Sequence, residues 1–328
     1  MLLKLFKNNH PFVLFLIPVL GILLWMPSLI DFPFKFPEIV PHKQTPVFDW
    51  LSEPLAGYPK LSVIIALVFL ILQSFILLRL NFKHIFIETR TYLPSVLFVI
   101  FGSLLYQYQQ LHPALIVNFF LLWALDKALV IDKESNLIKR NFEGGFILGM
   151  GMLFYTSMYI FIPVIWMTLI ILRNSRWREW TSGLIGFVLP GVIFLTVAFL
   201  LDKHQIVLEQ MQQNIIAPAM EISWHPWAFI AIGLLTMLSI ISVLSVLSYV
   251  GVKKINTRKY FTFFFWFLIL LVALFFFHTK VAYDLIYALA IPLSVLSSLF
   301  YIESRSKWVT EIFFVLTLLS ALALIWIH

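Results

Sequence analysis

The sequence predicts an all-α polytopic membrane protein, with about nine full transmembrane helices and a short two-helix hairpin (144–172) dipping in from the cytoplasmic side. Three observations carry this. Of 328 residues, 61% are hydrophobic and 12% charged, where soluble domains run nearer 45–50% and about 25%. Mean hydropathy is +0.96. No polar run exceeds about 30 residues, so the chain reads as one integral membrane domain over 1–328 without a large catalytic domain outside the bilayer. It has no cysteine, which removes disulfides, thiolate metal sites and cysteine nucleophiles together.

A span needs about 20 apolar residues to cross about 30 Å of hydrocarbon. The segments that qualify are 11–30, 61–80, 92–106, 113–131, 181–201, 227–250, 260–277, 285–301 and 309–327. Lys4 and Lys7 precede the first like the basic start of a signal peptide. Trp25, Met26 and Pro27 stand where a small-residue cleavage site belongs, so the segment reads as a retained anchor. The stretch 144–172 is too short for two crossings and is broken by Tyr155, Thr156, Ser157 and Pro163. Lys139 and Arg140 precede it; Arg173, Arg176 and Arg178 follow. Halves of about 12–14 residues reach only about 18–21 Å, so both ends belong on one side, the irregular middle being covered by protein or a wet cavity.

With the N-terminus inside, only Lys35, Lys43, Lys60, Lys203 and Lys280 fall outside, out of 23 lysines and arginines. That asymmetry follows the positive-inside pattern and gives the N-terminus a cytoplasmic location. Orientation thus accounts for the net charge of +7, and nucleic acid is not an expected partner. Eight acids lie outside, among them Asp31, Asp49, Glu209 and Asp284.

Chemistry has room on that outer side. The segment 31–60 holds Pro33, Pro37, Pro41, Pro46, Pro54 and Pro59, which forbid a long helix. Its interleaved Phe32, Phe34, Phe36, Phe48 and Trp50 suit a loop at headgroup level. It either presents Asp31 and Asp49 over a lipid-accessible cavity or is a solvated connector. In 202–226, apolar residues at 207, 208, 211 and 215 mark an amphipathic helix in the interface, followed by an anchor of Trp224, His225 and Trp227. Two turns complete the face: Gln107, Tyr108, Gln109 and Gln110 with His112 behind them, and His278, Lys280, Tyr283 and Asp284. Lys280 either meets a phosphate or snorkels.

Other signals are negative. No two of the eight histidines stand three or four apart, so no helical metal site is expected, and no glycine loop cradles a nucleotide phosphate. No cofactor is expected. Gly144, Gly145, Gly149 and Gly151 suit close helix packing, as do Ser239, Ser242, Ser245 and Ser248.

The run from Asn141 to Trp180, with Phe146-Ile147-Leu148-Gly149-Met150-Gly151 and Trp177-Arg178-Glu179-Trp180, resembles an uncharacterised family of bacterial multi-pass proteins, as does Arg90-Thr91-Tyr92-Leu93-Pro94. In layout the chain also resembles C-type glycosyltransferases, which use polyprenyl-phosphate sugars. Asp31 directly follows the first span, where that family has its aspartate, and 144–172 matches its dipping helix pair. No Asp-Asp or Asp-Glu pair stands in 31–60.

That likeness implies transfer of a lipid-linked sugar on the outer side, with Asp31 as general base and Asp49 second. Lys280 and His278 would hold the donor phosphate, and Tyr283, Asp284, Gln107 and His225 would line the substrate site. The expected partners are membrane lipids and a polyprenyl-phosphate-linked donor. Two other readings stand beside it: a scaffold subunit of an envelope complex, and a lipid or solute transporter.

Overall fold

The computed structural model describes residues 2–7, 11–30, 45–55, 57–131, 136–172, 176–205, 207–210, 226–251, 253–277, 283–304 and 306–326. These form helices α1 (Leu2–Lys7), α2 (Phe12–Leu24), α3 (Met26–Ile30), α4 (Pro46–Ser52), α5 (Pro59–His84), α6 (Leu93–Gly102), α7 (Pro113–Ala128), α8 (Leu137–Met152), α9 (Ile162–Leu172), α10 (Trp177–Leu200), α11 (Pro226–Val250), α12 (Ile255–Phe277), α13 (Ile286–Glu303) and α14 (Lys307–Trp326). No strand occurs among the described residues.

All nine expected spans hold a helix, but they are not all full crossings. Six helices are long and apolar enough to cross a membrane: α5, α10, α11, α12, α13 and α14. The protein is therefore an integral membrane protein. The 13, 10 and 16 residues of α2, α6 and α7 give only about 20, 15 and 24 Å. Short helices suffice where no lipid is faced. Every residue of α6 is buried, and most of α13 is too; these two pack on each other at the centre, and the other helices surround them.

The hairpin is present, and it is taller than its sequence predicts. Asn136 caps α8, its side chain accepting from the Lys139 N–H at 3.3 Å, so the helix starts at 137 and not 144. Lys139 and Glu143 are accommodated at its foot, Glu143 pairing with Lys127 at 2.7 Å. Sixteen residues then give about 24 Å. The 3-10 turn Thr156–Phe161 reverses the chain into α9, whose last carbonyl, that of Leu172, accepts from Lys259 Nζ at 3.0 Å.

That contact, the Lys83–Asp126 pair (2.5 Å) and the Lys253–Glu303 pair (2.7 Å) bring helix ends together on one face, here called the basic side. Both feet of the hairpin stand there. Its tip reaches the opposite, acidic side, where Thr45 Oγ1 donates to the Phe154 carbonyl at 3.1 Å.

On the acidic side the structure corrects one expectation. Residues 46–52 are helical despite the prolines: Pro46 occupies the first turn, where its missing N–H costs nothing, and Thr45 caps the helix. Residues 31–44 and most of the expected 206–216 helix lie outside the described residues. Of the serine row, Ser242 is buried and its hydroxyl, like that of Ser245, donates to its own helix.

Glycines let α8 and α10 run side by side in near backbone contact. A Cβ on Gly145 would overlap the Gly183 carbonyl oxygen, and one on Gly149 the Phe187 carbonyl oxygen. Without a hydrophobic effect between helices in lipid, such close approach is a main source of association. Gly191, further along α10, has nothing within 4 Å of its added Cβ. Gly145→Val is therefore expected to cost about 3 kcal/mol and to abolish the monodisperse peak in detergent size-exclusion chromatography. Gly191→Val is expected to leave both that peak and the melting temperature unchanged.

Candidate functional site

Three segments far apart in sequence meet on the acidic side, and Asp284 ties them. One carboxylate oxygen, Oδ1, accepts from the Tyr108 hydroxyl at 2.7 Å. The other, Oδ2, accepts from the hydroxyl of Tyr155 at the hairpin tip. His112 Nε2 stands 3.6 Å from Oδ1, and the His112 and Tyr108 rings lie 4.7 Å apart. Tyr287, the second residue of α13, donates to the Tyr108 carbonyl at 2.6 Å.

Local structure fixes each partner. The chain leaves α6 at Gly102 and crosses to Pro113 through a largely buried stretch, irregular but for one 3-10 turn. Such backbone needs polar partners inside a membrane protein. Trp25 Nε1 donates to Ser103 Oγ (2.9 Å), Ser28 to Gln109 Oε1 (2.5 Å), Gln109 Nε2 to the Ser103 carbonyl (3.0 Å), and the Leu111 N–H to Ser62 Oγ (3.0 Å). His112 caps α7: its Nδ1 accepts from the Ala114 N–H at 3.2 Å. The ring proton therefore sits on Nε2, facing Asp284.

Burial pushes the His112 pKa below its ordinary 6.5, against a smaller upward pull from Asp284. Burial, reinforced by the same carboxylate, pushes the Tyr108 phenol far above its usual range, so it stays a donor. Beneath the carboxylate is a void with room for a single water, about 10 Å³, lined by Asp284, Tyr155 and Asn118 among others.

The opposite face of α13 borders a much larger space. Helices α11 and α12 both pack on α13 but barely touch each other, leaving an apolar groove of about 790 Å³ between them. Its walls run from Ile232 to Leu244 and from Phe265 to Phe276, over a floor including Ile286, Leu289 and Leu293. The 13-residue wall of α11 gives it a length of about 18 Å, along the middle of α11 and the acidic-side ends of α12 and α13. Exposed Ile240, Leu244, Val272 and Phe276 line its opening. Tyr283 closes its end and is the neighbour of Asp284. The groove's volume is within the range of small-molecule sites.

Of the residues singled out from sequence, Asp284 and Tyr283 come together here. Gln107 lies in the 3-10 turn Tyr106–Tyr108 beside them. Asp49 is half-buried in the first turn of α4, whose Phe48 packs with Leu111 and Ile116 near the site. Asp31, His225, His278 and Lys280 lie outside the described residues. Sequence reasoning missed Tyr108, Tyr155 and His112 as partners of Asp284. Tyr155 registers there only as a helix breaker, and the polarity of the 107–112 turn is the one signal that points to the site. No group of three metal-ligating side chains occurs among the described residues.

Tyr155→Phe removes one of two hydroxyls from the partly buried Asp284 carboxylate and is expected to cost about 1–2 kcal/mol, measured as a lowered melting temperature in detergent. The depressed His112 pKa has a definite sign. Above pH about 6.5 the ring is neutral folded or unfolded. As pH falls through that value the unfolded state gains the proton first, and stability drops. The melting temperature is expected to decline below pH about 6.5, and His112→Asn, which keeps a capping oxygen, is expected to flatten that decline.

No curated protein and no solved structure matches this chain. The model of one protein family does, over residues 56–328, a stretch that contains Tyr108, His112, Tyr155 and Asp284 and leaves out Asp31 and Asp49. The chain belongs to that family, DUF6427, a family of unknown function.

Proposed function

We propose that the protein handles a long-chain amphiphile, its tail in the α11–α12 groove and its polar head at the layer of Tyr108, His112 and Asp284. The observation that carries this reading is the position of the groove: apolar along its length, with exposed apolar side chains at its opening, and ended by Tyr283 next to the Asp284 carboxylate. An apolar trough meeting hydrogen-bonding groups at one end is the form of a site for a molecule with both characters.

Within this reading the chemistry is transfer of a lipid-linked group, such as a sugar on a polyprenyl phosphate, at the acidic side. Asp31 is its general base with Asp49 second, and Lys280 and His278 hold the donor phosphate. The basic opposite side supports placing the acidic side outside the cytoplasm. A second reading, a non-catalytic assembly subunit, is favoured by one observation: both oxygens of Asp284 are taken by Tyr108 and Tyr155, so that carboxylate holds segments together.

Native mass spectrometry of the protein in mild detergent tests the proposal. A long-chain lipid mass is expected to persist on the wild type and to be lost in Ala273→Trp, which fills the groove from α12. Loss of a phosphate-bearing species alone in Lys280→Ala is expected if the donor is a lipid phosphate. Lipid retention indifferent to Ala273→Trp overturns the groove reading and leaves the assembly subunit.

A further inference from the structure

The void beneath Asp284 has a wall whose chemistry can be worked out bond by bond. Deep in the bundle, Gln73 Nε2 on α5 donates to the Leu115 carbonyl at 2.6 Å, and Asn118 Nδ2 on α7 donates to Gln73 Oε1 at 2.9 Å. This order is forced. A carbonyl only accepts, so the amide nitrogen of Gln73 must face Leu115 and its oxygen must face Asn118. The nitrogen of Asn118 then faces Gln73, and Asn118 Oδ1 is left over. That oxygen is buried with no donor, and Asn118 lines the void. A buried acceptor left unpaired costs about 1–3 kcal/mol.

The other polar groups at the void offer no remedy. The Tyr155 hydroxyl has committed its proton to Asp284, so only its lone pairs remain. Both oxygens of Asp284 are themselves acceptors. Every other lining residue is apolar: Ala114, Val117, Leu121, Phe161, Leu285 and Ala288. The void thus presents acceptors from three residues and no donor, in space for one small molecule.

We propose that this void is a binding site for one water molecule, donating one proton to Asn118 Oδ1 and the other to Asp284 while accepting nothing. It joins the carboxylate to the Gln73–Asn118 pair, so that the acidic-side site and the bundle interior form one hydrogen-bonded unit. The occupant is a water in preference to a hard cation, because such an ion gathers about six or more oxygens and three residues supply polar groups here. The site lies on the far side of α13 from the groove and does not rest on the lipid reading.

Three measurements decide it. A crystallographic or electron-microscopic map that resolves ordered waters is expected to show one peak within hydrogen-bonding distance of Asn118 Oδ1 and Asp284; an empty void overturns the proposal. In X-ray hydroxyl-radical labelling with isotopic water, Tyr155 is expected to be modified by the trapped water. That labelling is expected to fall in Asn118→Leu toward the level of Tyr287, which is also buried and does not line the void. Unchanged labelling of Tyr155 in a folded Asn118→Leu protein overturns it as well. So does a melting temperature raised by sodium over choline in the wild type and not in that variant, which assigns the void to a cation. Should Asn118→Leu fail to fold, the wild-type map decides alone.

Discussion

A peptide group or a carboxylate placed in hydrocarbon has no water to turn to, and each must find its partner within the chain. Most of what is particular about this protein follows from meeting that demand at the ends of short helices. Helix α6 stops at Gly102 and α8 at Met152, both under cover of protein, and each leaves terminal carbonyls and irregular backbone behind it. Trp25, Ser28, Ser103 and Gln109 answer that need after α6, and Thr45 answers it after α8. Tyr108, His112, Tyr155 and Asp284 form the layer where the two breaks meet. The candidate site is therefore also the place where the interior backbone is closed off. A residue there closes off interior backbone, which is why the expected effects of changing it are on stability first.

Helix α13 organises the rest. It is buried along most of its length yet has two unlike faces at its acidic-side end. Leu285 and Ala288 look toward the carboxylate void, while Ile286, Leu289 and Leu293 form the floor of the groove. The first turns of this helix thus face hydrogen-bonding groups on one side and an almost wholly apolar groove on the other. Tyr283 and Asp284, adjacent in sequence, begin this division, the first ending the groove and the second anchoring the polar layer.

Much of the architecture was legible in the sequence for physical reasons that apply to any membrane chain. Apolar run length gave the positions of the helices, and the polar break at Tyr155–Ser157 between basic flanks gave the hairpin. Membership of an uncharacterised multi-pass family also held over residues 56–328. Three things were out of reach. The number of full crossings depends on which helices face lipid, and composition does not say that α6 is enclosed. The groove arises because α11 and α12 stand apart, and in a bilayer both faces of a helix are apolar, so no periodicity marks the side that meets protein. The Asp284 cluster joins residues 129 and 176 positions apart, a pairing no local pattern encodes. His112 was visible as a loop histidine; its role as a helix cap facing a carboxylate was not.

The hairpin has a consequence for how the protein is made. Helices α8 and α9, at 16 and 11 residues, are each shorter than a stable crossing. Left alone in lipid, the turn between them would expose unpaired backbone. They become stable only when α7, α10 and α12 stand around them, and the last two are synthesised afterwards. The order of assembly thus differs from the order of synthesis: the middle of the chain must wait at the basic surface until later spans arrive. Its passage inward, ending when Tyr155 finds Asp284, is then the step that completes folding.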